Sequence, residues 1–180
     1  MKTILALFIS MMAVQLGFAQ TFTLKSADLG GQFTNQFTAN SFGCNGQNKS
    51  PELSWANAPE GTKSFAITMY DPDAPTGSGF WHWVMIDIPA SVHELKQGAG
   101  DIKSGLAPAG SLQVNNDTGM PGYQGPCPPE GDAAHRYVIT IFALSSEKLG
   151  TTATTTPAIT GFMLGKQVLG KASILVYCKR

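Results

Sequence analysis

Three runs constrain the fold of this chain more than anything else in it: SFAITMYD (64–71), FWHWVMIDIP (80–89) and HRYVITIFAL (135–144). Each is dense in β-branched and aromatic residues and bounded by Gly, Pro, Asn, Asp or Ser, which marks strands rather than helices. TFTLKSADL (21–29) alternates apolar and polar residues as a half-buried strand does, and ASILVYC (172–178) reads as a closing strand. The connections carry turn chemistry. NSFGCNGQNKSPELSWANAP (40–59) has a short apolar centre at Leu53 and Trp55, and residues 98–134 are nearly all Gly, Pro, Asn, Asp and Ala. A structureless stretch of that length points to function. Ser91-x-x-Glu94 is a capping-box pattern that predicts one short capped helical turn. The one good helix comes late, with Thr156 as cap, Pro157 at the first position, and Ile159, Phe162, Met163, Val168 and Leu169 as an apolar stripe. This element order predicts a mainly β protein, a sandwich of antiparallel sheets with one short capped turn and a C-terminal helix. No repeat or linker divides it.

The first nineteen residues read as an address. Met1-Lys2 gives a positive start, Ile4 to Leu16 is almost continuously apolar, and Gly17 and Ala19 are the small residues before a cut after Ala19. That is a secretory signal-peptide pattern, too short for a comfortable membrane span; an uncleaved anchor is the alternative. It predicts a secreted or periplasmic protein, a single domain over residues 20–180, and no integral membrane span after cleavage. Twelve basic and twelve acidic residues cancel, and losing Lys2 leaves a charge of −1. With no basic block and no aromatic–basic interleaving, nucleic acid is not an expected partner.

Export permits disulfides. The cysteines are Cys44, Cys127 and Cys178, so one bridge and one free thiol is the natural arithmetic. Cys44 and Cys127 both fall in Gly/Asn/Pro-rich loops and are the favoured pair; three reduced thiols is the competing reading.

Chemistry concentrates in two places. DPDAP (71–75) fixes its own backbone through two prolines and carries Asp71 and Asp73. Along strand 135–144, His135 and Tyr137 share one face and Ile139 and Ile141 continue it into apolar surroundings. In strand 80–89, alternation puts His82 on the face of Val84 and Ile86, with Trp81 and Trp83 facing away as packing residues. If the polar ends meet, two imidazoles and a phenol frame a pocket over an apolar floor. A nearby carboxylate favours a cationic imidazole. Such cations, a tyrosine hydroxyl and loop N–H groups near Gly125-Pro126 suit a phosphate-like anion. Binding is then expected to weaken as pH rises through the histidine range. The residues leave rivals open: a rigid solvated turn, a metal held by His82, His135, Asp71 and Asp73, or a weak hydrolase using both histidines as acid and base. No H-x-H or H-E-x-x-H spacing supports a metal, and no G-x-S-x-G supports serine hydrolysis. The expectation is no metal, no cofactor and no catalytic residue. His93 reads as an exposed surface residue. Asn48 and Asn116 head N-x-S/T sequons.

In this order, DPDAP (71–75), WHWVMIDIP (81–89) and GYQGPCPPEGDAAHRYVITIFAL (122–144) resemble the phosphatidylethanolamine-binding protein family. FGCNGQNKSPELSWANAPEGTKSFAI (42–67) looks like the upstream signature of its bacterial Raf-kinase-inhibitor-like branch. The resemblance implies a two-sheet β-sandwich with a small anion pocket formed by Asp71, His82, Gly125, Pro126, His135 and Tyr137, bordered by Asp73, Pro75 and Trp83. It implies a phosphate-type ligand, including phosphoethanolamine-type headgroups, and no established reaction. A protein target, such as an extracytoplasmic protease inhibited through the same pocket, is the alternative partner. An exported protein would not meet cytosolic kinases. The chain continues only to Lys179-Arg180 after its last strand, which favours a shallow headgroup or small-anion site.

Overall fold

The computed structural model describes residues 20–180; the signal-peptide reading of residues 1–19 lies outside the described residues. The strands are β1 (Thr23–Lys25), β2 (Leu53–Ala56), β3 (Ser64–Asp71), β4 (Phe80–Pro89), β5 (Glu94–Leu95), β6 (Leu112–Val114), β7 (His135–Leu144) and β8 (Val168–Cys178), with helix α1 (Pro157–Gly165) before the last. They form a five-stranded sheet in the order β6-β4-β3-β7-β8 and a three-stranded sheet in the order β1-β2-β5. Every pairing within them is antiparallel.

Strands β3, β4 and β7 are covered on both faces, which is why they read as nearly continuous apolar runs. Between the sheets, Leu24, Leu53, Trp55 and Leu95 meet Phe65, Ile67, Met69, Trp83, Met85, Ile139 and Ile141. On the outer face, Leu149 and Leu164 close over Ala66, Val84, Ile86 and Val114.

Three local expectations fail for tertiary reasons. SVHELKQG makes no capped helical turn: Val92 N–H bonds Pro89 O in a tight turn, and Glu94 and Leu95 pair with Ser54 and Leu53 as β5. The exposed edge of β2 outcompetes a one-turn helix, which has a costly nucleus. The long loop 98–134 contains β6, whose Gln113 pairs with Met85. Helix α1 begins as expected, with Thr156 accepting from Ile159 N–H and Pro157 in the first turn. Its buried residues, however, are Pro157, Thr160 and Leu164; Ile159 and Phe162 are exposed, and Val168 and Leu169 belong to β8.

The departure that matters most is in β4. Met69 pairs with Trp83 and Tyr70 with Trp81, so His82 has no partner on β3 and forms a β-bulge. An extra residue breaks the two-residue alternation and re-aims the side chain. His82 therefore leaves the side of Val84 and Ile86 and stands against Tyr137, ring centroids 5.1 Å apart. For the same reason the two tryptophans face opposite ways. Trp83 lies in the inter-sheet core, donating from Nε1 to Gln113 Oε1 at 2.8 Å, whereas Trp81 packs at the outer cluster against Tyr70.

Candidate ligand-binding pocket

The turn after β3 positions the first polar group. Asp71 Oδ1 accepts from Asp73 N–H at 2.8 Å, closing an Asx turn that pins a carboxylate only 2 % exposed. Asp73 points elsewhere. It accepts from Arg136 N, Nε and Nη2 at 2.8, 2.9 and 2.6 Å, and these bonds hold its carboxyl down at a pKa of about 2.

β7 supplies the second group. His135 Nδ1 lies 2.8 Å from Asp71 Oδ2 and its Nε2 lies 3.3 Å from Asp132 Oδ2. Carboxylates only accept, so the protonated ring satisfies both with its two N–H donors. Burial works to lower the pKa of this imidazole, but the bonds and charges of Asp71 and then Asp132 outweigh it and leave it raised. Two residues on, Tyr137 is fully buried and stacks edge-on against Phe33. Burial, followed by the charge of Asp71, pushes its hydroxyl far above the usual range, so the phenol keeps its proton.

The bulge supplies the third. His82 Nδ1 lies 3.0 Å from Gln124 O, and Gln124 N–H bonds His82 O at 2.9 Å. A carbonyl only accepts, so Nδ1 carries hydrogen and Nε2 is the nitrogen left for a ligand. Burial lowers this pKa to about 4, against the raising effect of the Gln124 carbonyl and Asp71. The ring is neutral near pH 7.

Asp71, His82 and Tyr137 line a cavity of about 310 Å³ together with Phe42, Ala74, Pro75, Thr76, Phe80, Gln124, Gly125, Cys127, Pro128, Pro129 and Arg180. Of the residues singled out in the sequence, Asp71, Pro75, His82, Gly125 and Tyr137 line it. Asp73, Trp83, Pro126 and His135 do not. Asp73 and His135 instead border a shallow depression on the far side of Asp71, with Asp132 and Arg136. His135 was expected to donate to a ligand, but both its N–H groups are spent on carboxylates; its place is behind Asp71, offsetting that charge. The four proposed metal ligands do not converge, and among the described residues no cluster of three or more His, Cys, Asp or Glu could hold an ion.

The loop carrying Gly125 is packed backbone to backbone on residues 37–39. Ala39 N–H bonds Pro126 O at 3.0 Å, and Asn48 Oδ1 accepts from Gly125 N–H at 2.7 Å. Asn48 also donates to Tyr123 O, and Asn116 is buried and donates to Gly122 O, so both sequon amides are turned inward. A Cβ on Gly125 would lie 2.6 Å from Ala39 N and Thr38 C, and against Phe37 O. Gly125→Ala is expected to cost about 1–3 kcal/mol through forced separation of these backbones. A thermal melt should fall by several degrees and the Ala39 amide should exchange faster; an unchanged melt would contradict this packing.

Cys44 and Cys127 are joined, Cα atoms 6.0 Å apart, and Cys178 is a buried free thiol whose pKa is raised by burial and then by Asp71. Phe42, Phe80, Gln124 and Arg180 were not foreseen as pocket residues. Gln124 and Phe42 stood inside quoted motifs, but nothing local marks Arg180 as a neighbour of Phe42.

The sequence profile described as phosphatidylethanolamine-binding protein matches residues 24–179. This chain belongs to that family. The protein YbcL of Escherichia coli (strain K12) is 46 % identical over 145 residues, 81 % of this chain and 79 % of its own length. A crystal structure of E. coli YbcL, described as a new member of the mammalian PEBP family, superposes with a TM-score of 0.86 at 42 % identity, covering 88 % of this chain and 98 % of that one. YbhB of the same organism is 44 % identical over 147 residues, 81 % of this chain and 90 % of its own. The Mycobacterium tuberculosis (strain ATCC 25618 / H37Rv) protein LppC, named as a lipoprotein, is 38 % identical over 103 residues, 57 % of this chain and 47 % of its own. The mainly β, antiparallel sandwich is thus the fold of this PEBP family member and of its E. coli relative alike.

Proposed function

We propose that this PEBP family member is an exported, non-enzymatic binding protein whose pocket takes a small phosphate-type anion, either inorganic phosphate or a phosphorylated headgroup such as phosphoethanolamine. One observation carries the reading: the β4 bulge turns His82 into the cavity beside Tyr137 and Asp71, while His135 behind Asp71 offsets the one buried carboxylate there. The groups facing His82 are Asp71, Tyr137, Phe80 and the Gln124–Gly125 backbone, with His135 farther off. Tyr137 contributes a protonated hydroxyl, and Phe42, Phe80 and Pro128 form an apolar wall for a small organic substituent. The leader pattern of residues 1–19, the disulfide and the likeness to LppC support export to the envelope or beyond.

In place of two cationic donors that lose their protons in the histidine range, this reading takes His82 as the imidazole that meets the ligand and His135 as the partner of Asp71. His82 is neutral when free, so Nε2 accepts a proton shared with the ligand, and a bound anion raises the pKa of the ring. Binding then takes up a proton between pH 4 and the pKa reached in the complex, and affinity falls as pH rises through that window, by at most tenfold per unit. Titration calorimetry with inorganic phosphate and with phosphoethanolamine at pH 5.5 and 8, on wild type and His82→Ala, tests this at conditions chosen to span roughly the histidine range. The wild-type-to-variant affinity ratio cancels the ligand's own titration; it is expected to be about tenfold or more at the lower pH and to shrink at the higher. Equal affinities of the two proteins at the lower pH would sink the assignment.

A further inference from the structure

The cavity wall carries one cation, Arg180, and its surroundings are unusual. The residue lines both the candidate pocket and an adjoining cavity of about 360 Å³ that also touches Phe33, Cys44 and Cys178. Its Nη1 lies 3.4 Å from Phe42 O and 3.4 and 3.5 Å from the sulfurs of Cys44 and Cys127. The contact to oxygen is long for a hydrogen bond, and the two sulfurs are weak acceptors. Among the described residues Arg180 makes no ion pair, whereas Arg136 commits Nε and Nη2 to Asp73. A guanidinium has five donors in a fork that matches two phosphate oxygens, and here most of that capacity is unspent at the wall of a cavity.

The disulfide fixes the place of this arm. It ties the Phe42–Cys44 turn to the Cys127–Pro129 wall across 83 residues of sequence, and the guanidinium lies against both sulfurs and the Phe42 carbonyl at once. Phe42 is held at φ 54°, a left-handed conformation rare for a bulky residue, and it is 70 % exposed; Cys44 N–H to Ser41 O at 3.0 Å closes the turn locally, and the disulfide joins it to the opposite wall. Cys127 borders one cavity and Cys44 the other, so a small reductant has access from either side.

We propose that Arg180 is the cation that docks the anion in this pocket, and that the Cys44–Cys127 disulfide seats it, so that reduction by a dithiol weakens anion binding. The proposal rests on the anion-pocket reading above. In the chemical step, a thiolate of the dithiol attacks one sulfur and breaks the bridge. Its second thiol then resolves the mixed disulfide, leaving Cys44 and Cys127 as thiols and the reductant as its own disulfide. The Phe42 turn and the Cys127–Pro129 wall are then untethered, and a ligand must order the arginine arm itself, at a cost in conformational entropy.

The test is titration calorimetry with inorganic phosphate, and separately phosphoethanolamine, on wild type, Arg180→Gln and His82→Ala, each oxidised and after dithiothreitol. Near-UV circular dichroism reports whether the reduced fold persists. Arg180→Gln is expected to bind roughly tenfold more weakly than wild type. Reduction is expected to weaken wild type several-fold and to leave Arg180→Gln unchanged, because the arm that reduction frees is already gone. Stronger retention of phosphoethanolamine than of phosphate in Arg180→Gln would identify a headgroup as the ligand source, and equal loss would identify the free anion; both outcomes support the docking role. Unchanged affinity in oxidised Arg180→Gln, with a loss in His82→Ala, would overturn the inference and leave the pocket standing. Equal weakening of wild type and Arg180→Gln on reduction, or loss of the near-UV signal, would overturn the link between disulfide and arginine. No binding to oxidised wild type would overturn the pocket reading and this inference together.

Discussion

Asp71→Ala is expected to lower the stability of this fold by about 3–5 kcal/mol, a fall in Tm on the order of 10 °C for a domain of this size. Asp71 is buried and accepts from both His135 Nδ1 and Asp73 N–H, so truncation strands the buried His135 donor and a half-buried backbone N–H and opens a void at the end of β3. The pH dependence has a definite sign. The pKa of His135 is raised in the folded state, so its contribution to stability is complete below its unfolded value of about 6.5 and is lost as pH rises through the folded value. Wild type should therefore lose part of its stability on the alkaline side of about pH 6.5, and Asp71→Ala should remove that part of the slope. A double-mutant cycle with His135→Phe isolates the pair: the Asp71→Ala loss should be smaller in that background. Additive losses would mean that the ion pair couples nothing and that the effect is packing alone.

Replacing the disulfide by Cys44→Ala/Cys127→Ala is expected to cost up to about 4–5 kcal/mol, the loop-closure value for a bridge spanning 83 residues. The loop it closes contains β2 to β6, so the cross-link restrains, in the unfolded chain, the segments of two of three strands of one sheet and three of five of the other. Urea melts of the oxidised protein and the double variant should show a lower midpoint for the variant, with the fold retained at 25 °C. A difference below about 1 kcal/mol would mean that the unfolded chain already keeps the two loops close. The same variant bears on the pocket, because Cys127 forms part of its wall.

Much of this was legible along the chain because it depends on neighbours in sequence. Alternation placed His135, Tyr137, Ile139 and Ile141 on one face, and Tyr137, Ile139 and Ile141 lie together in the inter-sheet core. The Asx geometry of DPDAP and the Thr156-Pro157 helix start follow from side chains within three residues of one another. The capping box at Ser91 was an equally local signal, and it lost. Its backbone groups found a better partner in β2, which is distant in sequence.

The sequence by itself determined the long strands β3, β4, β7 and β8 and the turn after β3, because side-chain period and proline act over a few residues, whereas the short strands β5 and β6 exist only through their partners β2 and β4. Which way His82 faces was decided by the register of β4 against β3, where one unpaired residue reverses the alternation. Tertiary packing also decided that His135 spends both donors on Asp71 and Asp132, leaving neutral His82 as the imidazole in the cavity. It likewise brought Arg180 against Phe42 and the two sulfurs. A bulge, a buried pKa and a contact across the chain depend on groups that are adjacent only after folding.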